Sequence, residues 1–197
     1  MNPIKNLSLT VSAELLSKFF QLLEQGFILE SAVGCSLRDF ICGRLGLDGQ
    51  YLADRVQTIF LDHNPVDNID TALIREGSTV ALSAAMPGLA GATLRKGGRF
   101  AVMRNQISCQ TGTACNSDQQ TMVTVKYFNA VAKDLGESQL KKGIWIQDAN
   151  FIWFVDKRIE ALQAHIRSVR LDGKTIDSHK LASIPWQGEL FLRVSAV

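Results

Sequence analysis

The chain has 197 residues, of which 46% are hydrophobic and 20% are charged, and its formal net charge at pH 7 is +2. This balance is typical of a globular protein and excludes a disordered chain, which combines low hydrophobicity with high net charge. The small net charge gives no basis for nucleic-acid binding, which usually requires a concentrated basic face.

The sequence also predicts where the protein works. Its first residues do not combine a basic region with an apolar run, and no apolar run approaches the roughly 20 residues of a membrane span. We therefore expect a cytoplasmic protein without a signal peptide and without a membrane partner.

The four cysteines do not form a recognisable metal or redox motif. Cys35, Cys42, Cys109 and Cys115 make no Cys-x-x-Cys pair, and the histidines do not flank them at zinc-finger spacing. We expect no metal and no cofactor. Cys35 and Cys42 lie in an apolar stretch and are expected to be buried, whereas the other two lie in a polar segment and are expected to be exposed thiols.

The first half of the chain shows a regular order of elements. Alternating apolar residues predict strands at 9–11 and 27–30. Ser36 is a suitable N-cap for a helix whose apolar residues recur at helical spacing, namely Leu37, Phe40, Ile41 and Leu45. A hairpin turn at 62–64 and a last strand after Gly77 follow.

The second half repeats this order. The hairpin residue Asp62 lies 110 residues before Asp172, and Gly77 lies 111 residues before Gly188. Strands are predicted at 123–125 and 144–147, and Asp172-Gly173 predicts a tight hairpin. A helix is predicted between the strand at 144–147 and this hairpin; Asp148 or Asn150 would cap it, and it would end near His165. Its apolar face is formed by Phe151, Ile152, Phe154, Val155, Ile159 and Leu162.

Each half therefore predicts an α+β fold of order ββαββ, in which a mixed sheet packs on one helix. The first domain is expected at 1–108, with an extra C-terminal hairpin at about 90–107. A polar linker at 109–120 would separate it from the second domain at 121–197.

Three segments of the first half, 56–67, 70–71 and 76–82, resemble the molybdopterin-synthase small subunit and thiamine sulfur-carrier family. In the second half, 122–136, 169–177 and 188–192 resemble the same family. The resemblance implies two β-grasp (ubiquitin-like) domains in tandem.

Members of that family end in a free Gly-Gly, whose carboxylate is adenylated and converted to a thiocarboxylate. The first copy here continues past its last strand, and the second copy ends Val-Ser-Ala-Val. Neither copy therefore has the tail for carrier chemistry. Gly97 and Gly98 would provide such a tail only if the chain were cleaved after Gly98; otherwise they are expected to form the turn of the extra hairpin.

No catalytic residues are predicted. His63 and His179 are expected in loops without a nucleophile at recognisable spacing, and Trp145 and Trp153 are expected in the core. Trp186 follows a proline and is the expected exposed aromatic anchor of an interface. The apolar segment that contains Met86, Pro87 and Leu89 is a second interface candidate, either between domains or in self-association.

Three functions remain open from the sequence. The first is a non-catalytic protein-interaction or assembly module derived from a sulfur-carrier-like ancestor. The second is a sulfur carrier or conjugating modifier activated by cleavage after Gly98. The third is a small-ligand binder or an enzyme with a site between the domains. The missing tails and the missing catalytic residues favour the first, and fold alone does not decide between them.

Overall fold

The computed structural model describes residues 5–84, 91, 94–95 and 119–197. In these residues ten β-strands and five α-helices form an α+β protein whose strands pair in both parallel and antiparallel directions. The chain divides into two compact units. Unit 1 consists of Met1–Phe27 and Ala132–Val197, and unit 2 consists of Ile28–Val131.

The first half of the chain contains five strands and three α-helices, one of which is continued by a π-helical turn, Phe40–Arg44. In chain order they are β1 Lys5–Val11, α1 Ala13–Gln25, β2 Phe27–Ala32, α2 Leu37–Asp39, α3 Gly49–Asp54, β3 Thr58–Leu61, β4 Asn64–Pro65 and β5 Thr79–Ser83.

The second half repeats this arrangement with a 3-10 helix, Ser178–Ser183, before its last strand. Its elements are β6 Gln120–Phe128, α4 Ala130–Lys142, β7 Ile144–Gln147, α5 Asp148–His165, β8 Ile166–Leu171, β9 Lys174–Ile176 and β10 Glu189–Ala196. Both halves thus follow the order strand, helix, strand, helix, hairpin and last strand.

The predicted order ββαββ is wrong in its number of helices, because α1 and α4 join the first two strands of each half. Ser12 caps α1 by accepting a hydrogen bond from the backbone N–H of Leu15 (3.3 Å). Gly26, at φ 125°, ends the helix. The face that α1 buries has helical spacing and consists of Leu15, Leu16, Phe19, Leu22 and Leu23.

The N-cap predicted for the helix of the first half is confirmed. Ser36 caps α2, since its Oγ accepts a hydrogen bond from the Asp39 N–H at 3.1 Å. The predicted cap of α5 by Asp148 or Asn150 is wrong, because Gln147 holds the N-cap position and its side chain makes no capping hydrogen bond. Asp148 is instead the first helical residue, and its carboxylate accepts hydrogen bonds from Ala149 N–H and Gly188 N–H. The side chain of Asp148 therefore ties the start of α5 to the loop that precedes β10.

The sheet of unit 1 has the strand order β7-β10-β1-β8-β9. Strand β1 runs parallel to β10 and antiparallel to β8. Helix α1 packs on α5, where the rings of Phe19 and Phe154 lie 4.6 Å apart. The buried core includes Leu7, Leu9, Val11, Phe19, Leu23, Ile144, Ile146, Phe154, Val169, Leu192 and Val194.

The sheet of unit 2 has the strand order β4-β3-β5-β6-β2. Strand β5 runs parallel to β6 and antiparallel to β3. The buried core includes Leu37, Phe40, Ile41, Leu52, Ile59, Leu61, Val80, Leu82, Val123, Val125 and Tyr127.

The two halves exchange their first strands. Strand β1 lies among four strands of the second half, and β6 lies among four strands of the first half. The compact units therefore differ from the predicted consecutive domains 1–108 and 121–197. Gln120 of the predicted linker begins β6, and residues 109–118 lie outside the described residues. The predicted hairpin at about 90–107 also lies outside them, apart from 91 and 94–95.

The hairpin aspartates show how the exchanged strand is held. Asp62 and Asp172 each stand at the first turn position with positive φ, at 51° and 49°. Asp62 Oδ1 accepts a hydrogen bond from Thr79 N–H at the start of β5 (2.8 Å). Asp172 Oδ1 instead accepts one from Asn6 N–H in β1 (2.8 Å). In unit 1, β1 thus takes the position beside the hairpin that β5 takes in unit 2.

Candidate interaction face

The side chains of strand β6 alternate between the buried core of unit 2 and the open side of its sheet. Val123, Val125 and Tyr127 point into the core, and burial raises the pKa of the Tyr127 phenol above its ordinary value. The residues that alternate with them, Met122, Thr124, Lys126 and Phe128, are half-buried or exposed. The open side of this sheet is therefore available to carry function.

Three neighbouring strands build this surface, which we name the β3-β5-β6 face. The strand register aligns Phe60 of β3 with Ala81 of β5, and Ala81 with Lys126 of β6. A second row places Phe128 beside Ser83. The face contains a depression of about 270 Å³, which is lined by Phe60, His63, Thr79, Ala81, Lys126 and Phe128.

The chemistry of this lining suits binding better than bond making. Two half-buried phenylalanine rings provide apolar area, and Lys126 and His63 add a cation and an imidazole. The nearby Asp62 carboxylate is engaged by Thr79 N–H and by the Ser78 hydroxyl. A nucleophile held by an oriented base, which covalent catalysis requires, is not found among the residues that line the depression.

Trp186 does not occupy the exposed position that the sequence predicts. Its side chain is 7% exposed, its Nε1–H donates to the Leu181 carbonyl at 3.1 Å, and its ring meets Phe151 edge-on at 4.9 Å. The prediction of an exposed anchor is therefore wrong, because the loop that carries Trp186 packs back on α5. Trp153, predicted in the core, is 41% exposed. Trp145 is half-buried beside Phe191.

Several residues that the sequence singles out belong to segments outside the described part of the chain. Met86, Pro87 and Leu89 of the apolar segment lie outside the described residues, as do Gly97 and Gly98 of the proposed carrier tail and the thiols of Cys109 and Cys115. The prediction that Cys35 and Cys42 are buried is wrong, because both thiols are half-buried.

The three histidines lie on different elements. His63 is exposed at the tip of the β3–β4 hairpin, and His179 is exposed in the 3-10 helix. His165 ends α5, and its Nδ1 lies 3.3 Å from Ser12 Oγ, a contact that the sequence did not reveal. The Ser12 oxygen also caps α1, so this contact holds the start of one helix against the end of another.

One exposed ion pair perturbs the titration of its members. Arg38 donates two hydrogen bonds to Asp70, and these lower the pKa of the Asp70 carboxyl while they raise the pKa of Arg38. The pair joins α2 to the loop that precedes β5 and does not line the β3-β5-β6 face.

Within the described ranges, no group of three or more His, Cys, Asp or Glu side chains is arranged to hold a metal ion. No helix in the part of the chain that the structure describes has the length and apolar character needed to cross a membrane. Comparison with known protein families, with curated proteins and with solved structures gives no match.

Proposed function

We propose that this chain is a non-catalytic protein-interaction or assembly module and that the β3-β5-β6 face is its binding surface. The observation that carries the proposal is the row Phe60–Ala81–Lys126, flanked by Phe128, on the open side of three paired strands. Aromatic side chains in a shallow apolar depression are typical of the residues that contribute most to protein–protein affinity. The repeated order of elements supports descent of the two halves from one ancestor, and the sequence resemblance suggests that this ancestor was a β-grasp sulfur carrier.

Charge complementarity defines the partner. The lining of the depression contains Lys126 and His63 but no carboxylate. We therefore expect a protein partner with an apolar centre and acidic side chains at its rim, because opposite potentials guide association and exclude other partners.

This proposal favours a continuous chain over a carrier activated by cleavage after Gly98. Such cleavage would leave β6, with Lys126 and Phe128, on a different fragment from β3 and β5. The face would then depend on two separate chains.

Photo-crosslinking in the native cells tests the proposal. A photoreactive phenylalanine analogue at position 128 should form a defined adduct with one partner protein, which mass spectrometry then identifies. The same analogue at position 191 is the matched control, because Phe191 is also half-buried but lies on β10 of unit 1. We expect no adduct there.

The affinity of the purified partner then provides the quantitative test. Phe60→Ser should weaken binding about 30-fold, which corresponds to the roughly 2 kcal/mol of a dominant interface residue. Phe191→Ser should leave the affinity unchanged. Equal adducts at positions 128 and 191, or unchanged affinity in Phe60→Ser, would exclude the β3-β5-β6 face as the binding surface.

A further inference from the structure

Unit 1 contains an open cleft of about 400 Å³ between α1 and α5 that differs chemically from the β3-β5-β6 face. Its lining residues are Lys18 of α1 and Trp153, Lys157, Arg158 and Ala161 of α5. The lining thus provides three cations and an indole. The acidic residues of the same helices, such as Glu14, Asp156 and Glu160, are not part of it.

Helical geometry places the indole beside the charges. Trp153 and Lys157 are four residues apart in the part of α5 that precedes the irregular backbone at Arg158, and so they lie on the same side of the helix. Trp153 is 41% exposed, so an aromatic ligand can stack on its ring. Ala161, which lies beyond Arg158, adds a small side chain to the lining.

Arg158 is held in place by neighbours on both helices. Its backbone departs from helical geometry (φ −135°, ψ 19°) in the middle of α5. Its guanidinium carbon lies 5.0 Å from the centre of the Phe154 ring, and its Nη2–H donates to Gln21 Oε1 on α1. A guanidinium has five N–H donors, so others remain for a ligand in the cleft.

The cations of this cleft are not neutralised by the protein. Among the described residues, no carboxylate lies within 4.0 Å of Lys18, Lys157 or Arg158. Three cations that line one cleft produce a positive potential there, which favours a bound anion. An anionic group is therefore the expected complement.

We propose that this cleft binds a small ligand that joins an aromatic ring to a phosphate group, and that a mononucleotide is its simplest probe. The ring would stack on Trp153, and the phosphate would accept hydrogen bonds from Lys18, Lys157 and Arg158. The volume of the cleft falls within the range of about 300–1,000 Å³ that is usual for small-molecule sites. This proposal is independent of the protein-binding function.

Isothermal titration calorimetry of the full chain with AMP, adenosine and inorganic phosphate tests the proposal. We expect saturable AMP binding with a dissociation constant of about 1 mM or below, and binding of adenosine and of phosphate at least about tenfold weaker. The affinity for AMP should fall with rising salt concentration, because the cations are exposed.

Exposed residues provide variants that should not disturb folding. Lys157→Gln and Lys18→Gln should each weaken AMP binding about fivefold or more, and Trp153→Phe should weaken it while abolishing the ligand-induced change in tryptophan fluorescence. The matched controls are Lys174→Gln, at the β8–β9 hairpin of the same unit, and Trp145→Phe on β7. Both should bind AMP as the unchanged protein does.

Each other outcome contradicts the proposal. Absence of saturable AMP binding excludes the site. Phosphate that binds as tightly as AMP would show that the indole plays no part, and adenosine that binds as tightly would show that the cations play none. Equal losses in Lys157→Gln and Lys174→Gln would show that only the net charge of the chain matters.

Discussion

Tyr127 is a titratable residue placed in the core of unit 2, on the side of β6 opposite to Lys126 and Phe128. Burial, with a smaller contribution from Tyr51, raises the pKa of its phenol above the ordinary value of about 10. The folded chain thus retains this proton at pH values where the unfolded chain releases it. The neutral phenol therefore contributes stability that is complete below pH about 10 and is lost as the pH rises further.

This linkage can be measured by urea unfolding between pH 8 and pH 11. Above pH about 10 the free energy of unfolding should fall by up to about 1.4 kcal/mol per pH unit through this one group. Tyr127→Phe keeps the ring and should remove most of that slope, whereas Tyr51→Phe, a change at the other tyrosine of the chain, should retain it. An equal slope in Tyr127→Phe and the unchanged protein would show that the phenol of Tyr127 is not protected from ionisation.

The sequence shows which single residues are candidates for a site, but it does not show how exposed they are. The cysteines, the histidines and the tryptophans could be found by inspection, but their exposure depends on contacts between distant segments. Trp186 is covered because its loop returns to Phe151 of α5, and Trp153 is exposed because it lies on the outer side of the same helix. Sequence pattern alone could not separate the two.

Among the elements, those fixed by short-range chemistry were predictable. The Asp62 and Asp172 hairpins and the Ser36 cap depend on residues within a few positions of one another. Helix α1 is absent from the predicted order, although the sequence carries its signal, since Ser12 precedes apolar residues at helical spacing. The signal for α4 is weaker, because Gly136 interrupts it and few of its residues are apolar.

Gly136 is explained by the packing of α4 rather than by its helical propensity. A Cβ atom at this position would lie 2.7 Å from Cδ1 and Cε1 of Phe20, on α1. An alanine in the middle of a helix normally gains about 1 kcal/mol over glycine. Here that gain is opposed by overpacking, which typically costs about 1–3 kcal/mol.

We therefore expect Gly136→Ala to lower the free energy of unfolding by about 1 kcal/mol. Gly43→Ala is the matched control, because a Cβ at Gly43 meets no atom within 4 Å, and it should be neutral or stabilise by up to about 1 kcal/mol. Chemical denaturation of both variants measures the difference. In a Phe20→Ala background the cost of Gly136→Ala should disappear, and a cost that persists there would contradict the proposed contact.

At the scale of the whole molecule, the internal repeat was predictable but the exchange of first strands was not. Strands β1 and β6 occupy equivalent places in the repeat and bury alternate residues in the same way, so either strand suits either sheet. Contacts between residues far apart in the sequence determine which sheet each of these strands joins. Asp172 illustrates this choice, because its carboxylate binds Asn6 N–H of β1, more than 160 residues away.

The exchanged position of the first strands predicts which other strands lose protection from amide hydrogen exchange when a first strand is weakened. Leu9 of β1 pairs with Val169 of β8 and Val194 of β10, so Leu9→Ala, at a typical cost of about 2–5 kcal/mol, should increase amide exchange in β8 and β10. Val125 of β6 pairs with Val80 of β5, so Val125→Ala should instead affect β5 and β3. Native-state hydrogen exchange measures both patterns.

Two reference variants make this experiment decisive. Val169→Ala weakens unit 1 and Val80→Ala weakens unit 2 through strands that are not exchanged. Leu9→Ala should reproduce the exchange pattern of Val169→Ala, and Val125→Ala that of Val80→Ala. If the domains were consecutive, β1 would share a sheet with β5, and β6 would share one with β8. Leu9→Ala would then match Val80→Ala, and Val125→Ala would match Val169→Ala. A reversed match would also remove the β3-β5-β6 face, since Lys126 and Phe128 reach that face only through the exchanged strand.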